Sequence, residues 1–594
     1  MTNDSGLQKR LSILSVVLIG VSLILLGRML SFQFYMDPQT KSILENESES
    51  RTTQTYDVLP NRGQIYDRNG YLLAVNSVEY KIGISPNQIT NDEEVSRELA
   101  PLVGMSEIEI YNLLQPNADG IYAPWVLLAS QVGFEAGQKI ADLDISGVTL
   151  DPIPTRIYPQ GPLTGQIVGM YRGSDDSLTG RGYWGVEGFY NTLLAGQSKR
   201  VTTSVIPNLE EADIEATEVR DGIDLMLTID RDVQNLAEEV LTKAVNEDPT
   251  TTGGTILIMN PRTGEILAMA NVTRGQPPFD PTDFSADNMK MAKNPAISNI
   301  YEPGSVFKLV TMSIALEAGT HDLNWTYQDP GNWDIAGITI SNWDRKSHGN
   351  PTFADVFINS WNTGTATIFY EMGPYTVYPL LEAFGIGSRT GVDLEGEEAG
   401  LLTDMSNPNW NEAQFLTTSF GQGVSVTPLQ MLCFVNAIAN DGIIMQPHIV
   451  KARIDGDKVY EMQPAAARRP ISAQTAHTAR DIMVQVIANP NSEDLFELPG
   501  YTVAGKTGTA EIPTATGYDL EHSIASFVGF LPADDPVVSV LVKLDSPSGY
   551  WGNKTAAPVF QELVERLVVI MEIMPDNTRY ELVAQGGDPL NREY

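Results

Sequence analysis

Ser305 and Lys308 have the types and the spacing to carry out acyl transfer. They fall in Tyr301-Glu302-Pro303-Gly304-Ser305-Val306-Phe307-Lys308, which opens an apolar stretch predicted to be a helix running to about Ala318, where Gly319 can end it. Three residues apart on a helix, the two side chains share one face, with Cβ atoms about 5 to 6 Å apart. A serine hydroxyl is a weak nucleophile until a base takes its proton. A lysine serves as that base if burial or nearby positive charge lowers its pKa. Phe307, Leu309 and Val310 supply the apolar setting. Ser305 also stands at the helix amino end, where unpaired N–H groups and the dipole favour the negative charge of an oxyanion.

Two later segments complete the set. Asn359-Ser360-Trp361-Asn362-Thr363-Gly364 offers S-x-N, whose hydroxyl and amide could bridge a lysine and orient a peptide. Val503-Ala504-Gly505-Lys506-Thr507-Gly508-Thr509-Ala510 reads as a strand of small residues along which a substrate backbone can lie, with Lys506, Thr507 and Thr509 placed to hold a carboxylate. Each pattern alone has a plainer reading: an N-capping serine with a solvated lysine, a turn, and a hairpin edge. Together, in that order and spaced about 55 and 145 residues apart, they describe one site.

The surrounding periodicities indicate what must position these residues. Asp224 to Asp230 alternates as a strand, and Asp232 to Val245 has helical spacing with Asp230 or one of its neighbours as candidate N-cap. Thr255 to Met259 and Ile266 to Ala270 read as strands split by an Asn260–Gly264 turn. Ala525 to Phe530 and Val537 to Leu544 are the last strands, followed by a helix from Pro558 to Met574 and a tail after Pro575 that reads as disordered. Helices inserted between early and late strands of one sheet fit a single large α/β domain at 221–574. Before it, Val58 to Val205 mixes short strands such as Tyr80–Ile84 with helices at Glu93–Leu102 and Glu107–Leu114, an α+β region. Residues 37–57 read as a polar stalk, and Ile206 to Asp221 as an acidic hinge or ribbon between domains.

Leu11 to Gly27 is uncharged over 17 residues, about 25 Å of helix, and continuing to Tyr35 reaches the thickness of a bilayer core of about 30 Å. Lys9 and Arg10 precede it. The positive-inside tendency then leaves residues 1–10 in the cytoplasm, makes 11–35 an uncleaved single-pass anchor, and exports the rest. The 594 residues hold 38 Lys and Arg against 75 Asp and Glu, a net charge of −37, with no basic run, so nucleic-acid binding is excluded. The single Cys433, in an apolar run, excludes an intrachain disulfide and cysteine-rich metal sites. No metal and no cofactor is called for. All five histidines lie in the second half, without H-x-x-x-H spacing, so a nucleophilic serine must find another base.

The S-x-x-K, S-x-N and K-T-G set resembles that of the penicillin-binding proteins, serine acyltransferases that cross-link peptidoglycan. The likeness extends over nearly the whole chain. Arg62-Gly63-Gln64-Ile65-Tyr66-Asp67-Arg68-Asn69-Gly70 with Leu73-Ala74, Arg156-x-Tyr158-Pro159, and Gly185-Val186-Glu187 with Tyr190 and Gly196 look like motifs of the amino-terminal pedestal of the monofunctional class B subgroup. Read by themselves, those arginines and glycines are ion-pair and turn residues. Ser419-Phe420-Gly421-Gln422-Gly423, Val426-Thr427-Pro428-Leu429-Gln430 and Ala557-Pro558-Val559-Phe560 match within the catalytic region. Residues 36–220 contain no His and lack the acidic motifs of the glycosyltransferase domain that the bifunctional class A would need.

The resemblance implies an α+β multidomain chain: transmembrane helix 11–35, pedestal (dimerisation-like) domain 36–220, transpeptidase domain 221–574 with a central antiparallel sheet flanked by helices, and tail 575–594. It implies a stem peptide ending in D-Ala-D-Ala as substrate, with Ser305 as nucleophile, Lys308 as base, Ser360 relaying a proton, Asn362 holding the donor amide, and Lys506, Thr507, Gly508 and Thr509 binding the terminal carboxylate. The backbone N–H groups of Ser305 and Thr509 would form the oxyanion hole. β-Lactams would acylate Ser305 and stay. A polytopic glycosyltransferase of the shape, elongation, division and sporulation (SEDS, FtsW/RodA-like) family and proteins of the division or elongation complex are the implied partners. Trp361 stands where the family more often has a small residue, so its side chain is expected to narrow the groove. Tyr301–Gly304 and Ser526–Pro532 look more like the division (FtsI) type than the elongation type. A D,D-carboxypeptidase or β-lactamase, and a catalytically silent penicillin-binding scaffold, are the competing functions.

Overall fold

The computed structural model describes residues 4–34, 53–58, 60–173, 180–204, 219–489, 496–514 and 517–585. The chain divides into two compact units, Met1–Pro60 with Gln197–Arg220, and Asn61–Gly196 with Asp221–Tyr594. In the first, the apolar run folds as one helix, α1 (Asp4–Phe34), so the helix takes in most of the expected cytoplasmic tail. Its Lys9–Ser31 segment is long and apolar enough to cross a membrane, and Leu18 and Ile24 expose their side chains along it. Thr53–Val58 pairs antiparallel with Lys199–Ser204, so the last part of the expected stalk is a strand. The stalk at 37–52 and the hinge at 206–218 lie outside the described residues.

The second unit is built on two sheets. In the pedestal, β1 (Ile65–Tyr66), β2 (Leu72–Ile84), β3 (Val126–Val132), β4 (Val148–Ile157) and β5 (Asp224–Leu227) share a sheet with Val450–Asp455 and Lys458–Glu461. β5 joins β1 in parallel, and the neighbouring pairs are antiparallel. This sheet crosses the 220/221 division expected from sequence. Two of the helices packed with it start and stop on local signals. Asn91 caps Asp92–Val103, which ends at Gly104 with φ +73°, and Ser106 and Glu109 form a capping box on Glu107–Leu114. The pedestal motifs meet at Glu187, which is fully buried and accepts from Arg62 Nε at 2.8 Å and Arg156 Nε at 2.6 Å. That agrees with reading the arginines as ion-pair residues. Trp184 N–H and Tyr190 O–H then reach the catalytic region, donating to Glu395 Oε2 and Asp393 Oδ2.

The catalytic region follows with α2 (Arg231–Glu247), whose first N–H groups are capped by Asp230 as expected, then β6 (Gly253–Met259) and β7 (Ile266–Thr273). After the inserted helices α3 (Lys308–Glu317), α4 (Asn362–Met372), α5 (Pro428–Ala439) and α6 (Ala473–Ile487) come β8 (Ala504–Thr514), β9 (Gly517–Leu531) and β10 (Val538–Asp545). The strand order is β7-β6-β10-β9-β8, antiparallel throughout. Alternation along each strand separates two cores. Ile256, Ile258, Phe527, Val540 and Val542 pack with α2 and α7 (Ala556–Ile570), whereas Leu257, Met259, Val528, Phe530 and Leu541 pack with α3 to α6. Cys433 is buried in the second of these cores.

Beyond α7 the sequence reading is corrected. The helix ends at Ile570 rather than Met574, and the tail expected to be disordered contains α8 (Asp576–Ala584). α8 is held by Arg579, buried, whose guanidinium pairs with Asp576 at 2.9 Å and Asp534 at 3.0 Å. Asp576 Oδ2 in turn accepts the N–H of Thr502 at 2.7 Å, two residues before β8 begins. The two ion pairs of buried Arg579 hold the segment despite the polar composition that made it look unstructured.

Candidate active site

Ser305 lies in a 3-10 turn, Gly304–Phe307, that precedes α3, so the helix expected to include it begins at Lys308. Val306 and Phe307 are fully buried and pin the turn, leaving Ser305 partly exposed. Gly304 adopts φ +57°, and a Cβ there would stand 2.4 Å from the carbonyl oxygen of Thr509. The Ser305 turn therefore presses directly on β8. Gly421 O accepts the Gly304 N–H at 3.1 Å, which gives the Ser419–Gly423 motif a supporting role.

Lys308 is fully buried. Its Nζ lies 2.7 Å from Ser360 O, 2.7 Å from Asn362 Oδ1 and 3.2 Å from Ser360 Oγ. Burial, reinforced by the charge of Lys506, pulls its pKa well below the ordinary 10.5. A neutral amine has two N–H groups and one lone pair. The two N–H groups match the two pure acceptors at 2.7 Å, which leaves the lone pair for a hydroxyl proton.

Lys506 projects from β8 toward the α3 side of the sheet, with its Nζ 3.1 Å from Ser360 Oγ and 3.1 Å from Thr507 O. Burial lowers its pKa to about 7. Ser360 thus receives both lysines, and it does so at φ +59°, a left-handed conformation costing a non-glycine residue on the order of 1 to 3 kcal/mol. Asn362 begins α4, accepting from Lys308 through Oδ1 and donating through Nδ2 to Ser341 O at 3.0 Å. One of its amide hydrogens is committed to the protein, so one remains for a ligand.

β8 ends the strand order, and among the described residues one of its edges has no strand partner, as a groove for an extended peptide requires. Thr507 and Thr509 are both partly exposed. Thr509 Oγ1 accepts the Gly552 N–H at 3.0 Å and keeps its own proton to donate. Gly508 is buried, and a Cβ there would meet the Ser526 hydroxyl and the Val306 side chain, so it is small to let the Ser305 turn approach the sheet. Trp361 also differs from expectation. It is buried, with its ring stacked on His348 at 4.2 Å.

Sequence reasoning missed Glu302, which accepts the Gly423 N–H at 2.9 Å and the Tyr518 O–H at 3.1 Å, and whose carboxyl is raised by burial. It also missed Ser341 and Asn342. No local pattern marks them, because their partners lie about twenty residues away.

Residues 254–565 match the family model described as the penicillin binding protein transpeptidase domain, and residues 57–227 that of the penicillin-binding protein dimerisation domain. The chain is 32% identical to Stage V sporulation protein D of Bacillus subtilis, over 98% of this chain and 89% of that one. It is 30% identical to Peptidoglycan D,D-transpeptidase FtsI of Buchnera aphidicola, over 91% and 92%. The crystal structure of penicillin binding protein 3 of Mycobacterium tuberculosis complexed with aztreonam, 28% identical, superposes with a TM-score of 0.65 over 88% of this chain and 98% of that one.

Proposed function

Since the chain belongs to the penicillin-binding proteins, with both a dimerisation and a transpeptidase domain, we propose that it is a peptidoglycan D,D-transpeptidase in which Ser305 forms the acyl-enzyme. The observation that carries this reading is the convergence of two pKa-depressed lysines, Lys308 and Lys506, on Ser360 beside the Ser305 turn. A base is thereby available without histidine.

In the proposed reaction a stem peptide ending in D-Ala-D-Ala lies along the free edge of β8, its carboxylate near Lys506, Thr507 and Thr509. Neutral Lys308 takes the Ser305 proton as Oγ attacks the penultimate D-Ala carbonyl, and the N–H groups of Ser305 and Thr509 receive the oxyanion. Ser360 passes a proton to the departing D-Ala amine while Asn362 holds the donor amide. An amine of a neighbouring stem peptide then attacks the ester, forming the cross-link and returning Ser305 its proton. A β-lactam acylates the same oxygen without releasing a leaving group.

Residues 36–220 act as pedestal and 221–574 as the transpeptidase domain. α1 spans the membrane with its amino end in the cytoplasm, as Lys9 and Arg10 favour. We assign the enzyme to the division septum, beside a SEDS glycosyltransferase. The fragments Tyr301–Gly304 and Ser526–Pro532 and a relative named FtsI support that choice. Labelling the full-length protein with a fluorescent penicillin tests the chemistry: label retained by Ser305→Ala removes the nucleophile assignment. A fluorescent fusion tests the site of action, with midcell signal expected and lateral-wall signal reversing it toward elongation.

A further inference from the structure

Asp329 is 1% exposed, and among the described residues no lysine, arginine or histidine side chain pairs with it. Four donors occupy its carboxylate instead. Gly331 N–H lies at 2.9 Å and the Thr363 hydroxyl at 2.8 Å from Oδ1. Asn342 Nδ2 lies at 2.9 Å and His348 N–H at 3.0 Å from Oδ2. A carboxylate out of water is tolerated only with its acceptor sites filled in this way.

Three of these donors lead to the S-x-N segment: Thr363 directly follows it, and Asn342 and His348 touch it. Asn342, turned by Asp329, accepts the backbone N–H of Thr363 through Oδ1 at 3.2 Å. Its neighbour Ser341 accepts Asn362 Nδ2 through the backbone oxygen. Residues 341 and 342 therefore grip residues 362 and 363 one to one. On the other side of the motif, the His348 ring lies at 18° to the Trp361 ring with 4.2 Å between centroids. One buried carboxylate thus holds the partners of Trp361 and Thr363 directly, and Ser341, the partner of Asn362, through its neighbour Asn342. Immediately before them Ser360 keeps a left-handed backbone that needs support from its surroundings.

We propose that Asp329 is the positioning residue of the S-x-N segment, setting Ser360 and Asn362 against Lys308 for acylation without touching substrate. The proposal rests on Ser305 being the acylated residue. An Asp329→Asn side chain keeps the size but has one acceptor oxygen. Its NH2 group must face either the Asn342 and His348 donors or the Gly331 and Thr363 donors. The grip on Asn362 is then loosened, and Lys308 loses an acceptor that favours its charged form.

The test measures acylation of the detergent-solubilised full chain by a fluorescent penicillin, separating the dissociation constant K from the acylation rate constant k2 across pH. For Asp329→Asn, k2 is expected to fall about 10- to 100-fold with K within about threefold of wild type. The acid limb of k2 moves to lower pH, because an ammonium with fewer acceptors gives up its proton more readily. A merely structural loss lowers the active fraction and leaves the limb in place. The exchanged pair Asp329→Asn with Asn342→Asp restores a carboxylate to the network and recovers part of k2. Should Asp329→Asn not fold, the isosteric Thr363→Val, which removes one donor, carries the test with an expected tenfold fall in k2 at unchanged K. A folded variant with wild-type k2, or an effect confined to K, overturns the proposal. A wild-type chain not acylated at Ser305 overturns the site assignment instead.

Discussion

Lys308 Nζ stands 2.7 Å from the carbonyl oxygen of Ser360 and 3.2 Å from its hydroxyl, so the proposed base and the proposed relay are already in contact. With the Lys308 pKa well below 10.5, acylation rises with pH along a limb that is complete well before an ordinary lysine would lose its proton. Lys506 is poised near pH 7 and loses its charge above it. Its hold on a carboxylate therefore weakens as pH rises. For a penicillin, K is predicted to increase through about pH 7, and for the corresponding methyl ester, which has no carboxylate, that change is absent. Stopped-flow acylation over pH 5 to 10 reads both.

Burying Lys506 costs stability. Its folded pKa of about 7 lies below the unfolded value of 10.5, so the unfolded chain binds more protons between those values and stability rises with pH across that window. Lys506→Met removes that slope and is expected to be more stable at pH 7 by about 1 to 4 kcal/mol while losing acylation. Urea unfolding of both proteins at pH 7 and pH 9 measures the difference.

Gly304 and Gly508 both face obstacles, of different kinds. At Gly508 the first obstacle is the Ser526 hydroxyl, whereas at Gly304 it is the Thr509 backbone, and φ is positive there. Alanine is expected to cost about 1 to 3 kcal/mol at position 508 and more at position 304. Unfolding midpoints of the two variants decide the order.

The carboxyl-terminal helix holds the start of β8 through Asp576 and Arg579. Arg579→Ala leaves Asp576 buried without its cation, an expected loss of about 3 kcal/mol. Thermal unfolding checks the stability, and slowed acylation should accompany it because Thr502 and Ala504 anchor the Lys506 strand.

Local patterns carried much of this architecture. The Asp230 cap, the strands at Thr255–Met259 and Ile266–Ala270, and the polar-to-apolar switch at Lys9 are all readable from neighbours in sequence. So was the meeting of Lys308, Ser360, Asn362 and Lys506, because S-x-x-K, S-x-N and K-T-G each sit at the start of a helix or on an edge strand that fixes where they point. The remainder depends on partners far apart in the chain. Asp329 with Thr363, Gly508 against Val306, and Arg579 with Asp534 are legible only after the sheet brings distant segments together. The tail helix was hidden for the same reason: its composition is polar, and the Arg579–Asp534 ion pair and the Thr502–Asp576 hydrogen bond that hold it are both long-range.

The most direct measurement is tandem mass spectrometry of the full-length protein after reaction with a penicillin. A single adduct of one intact penicillin mass is predicted on the peptide carrying Ser305, absent from Ser305→Ala and formed far more slowly by Lys308→Ala. An adduct on any other residue, or one that forms at the wild-type rate without Lys308, contradicts a lysine-activated Ser305.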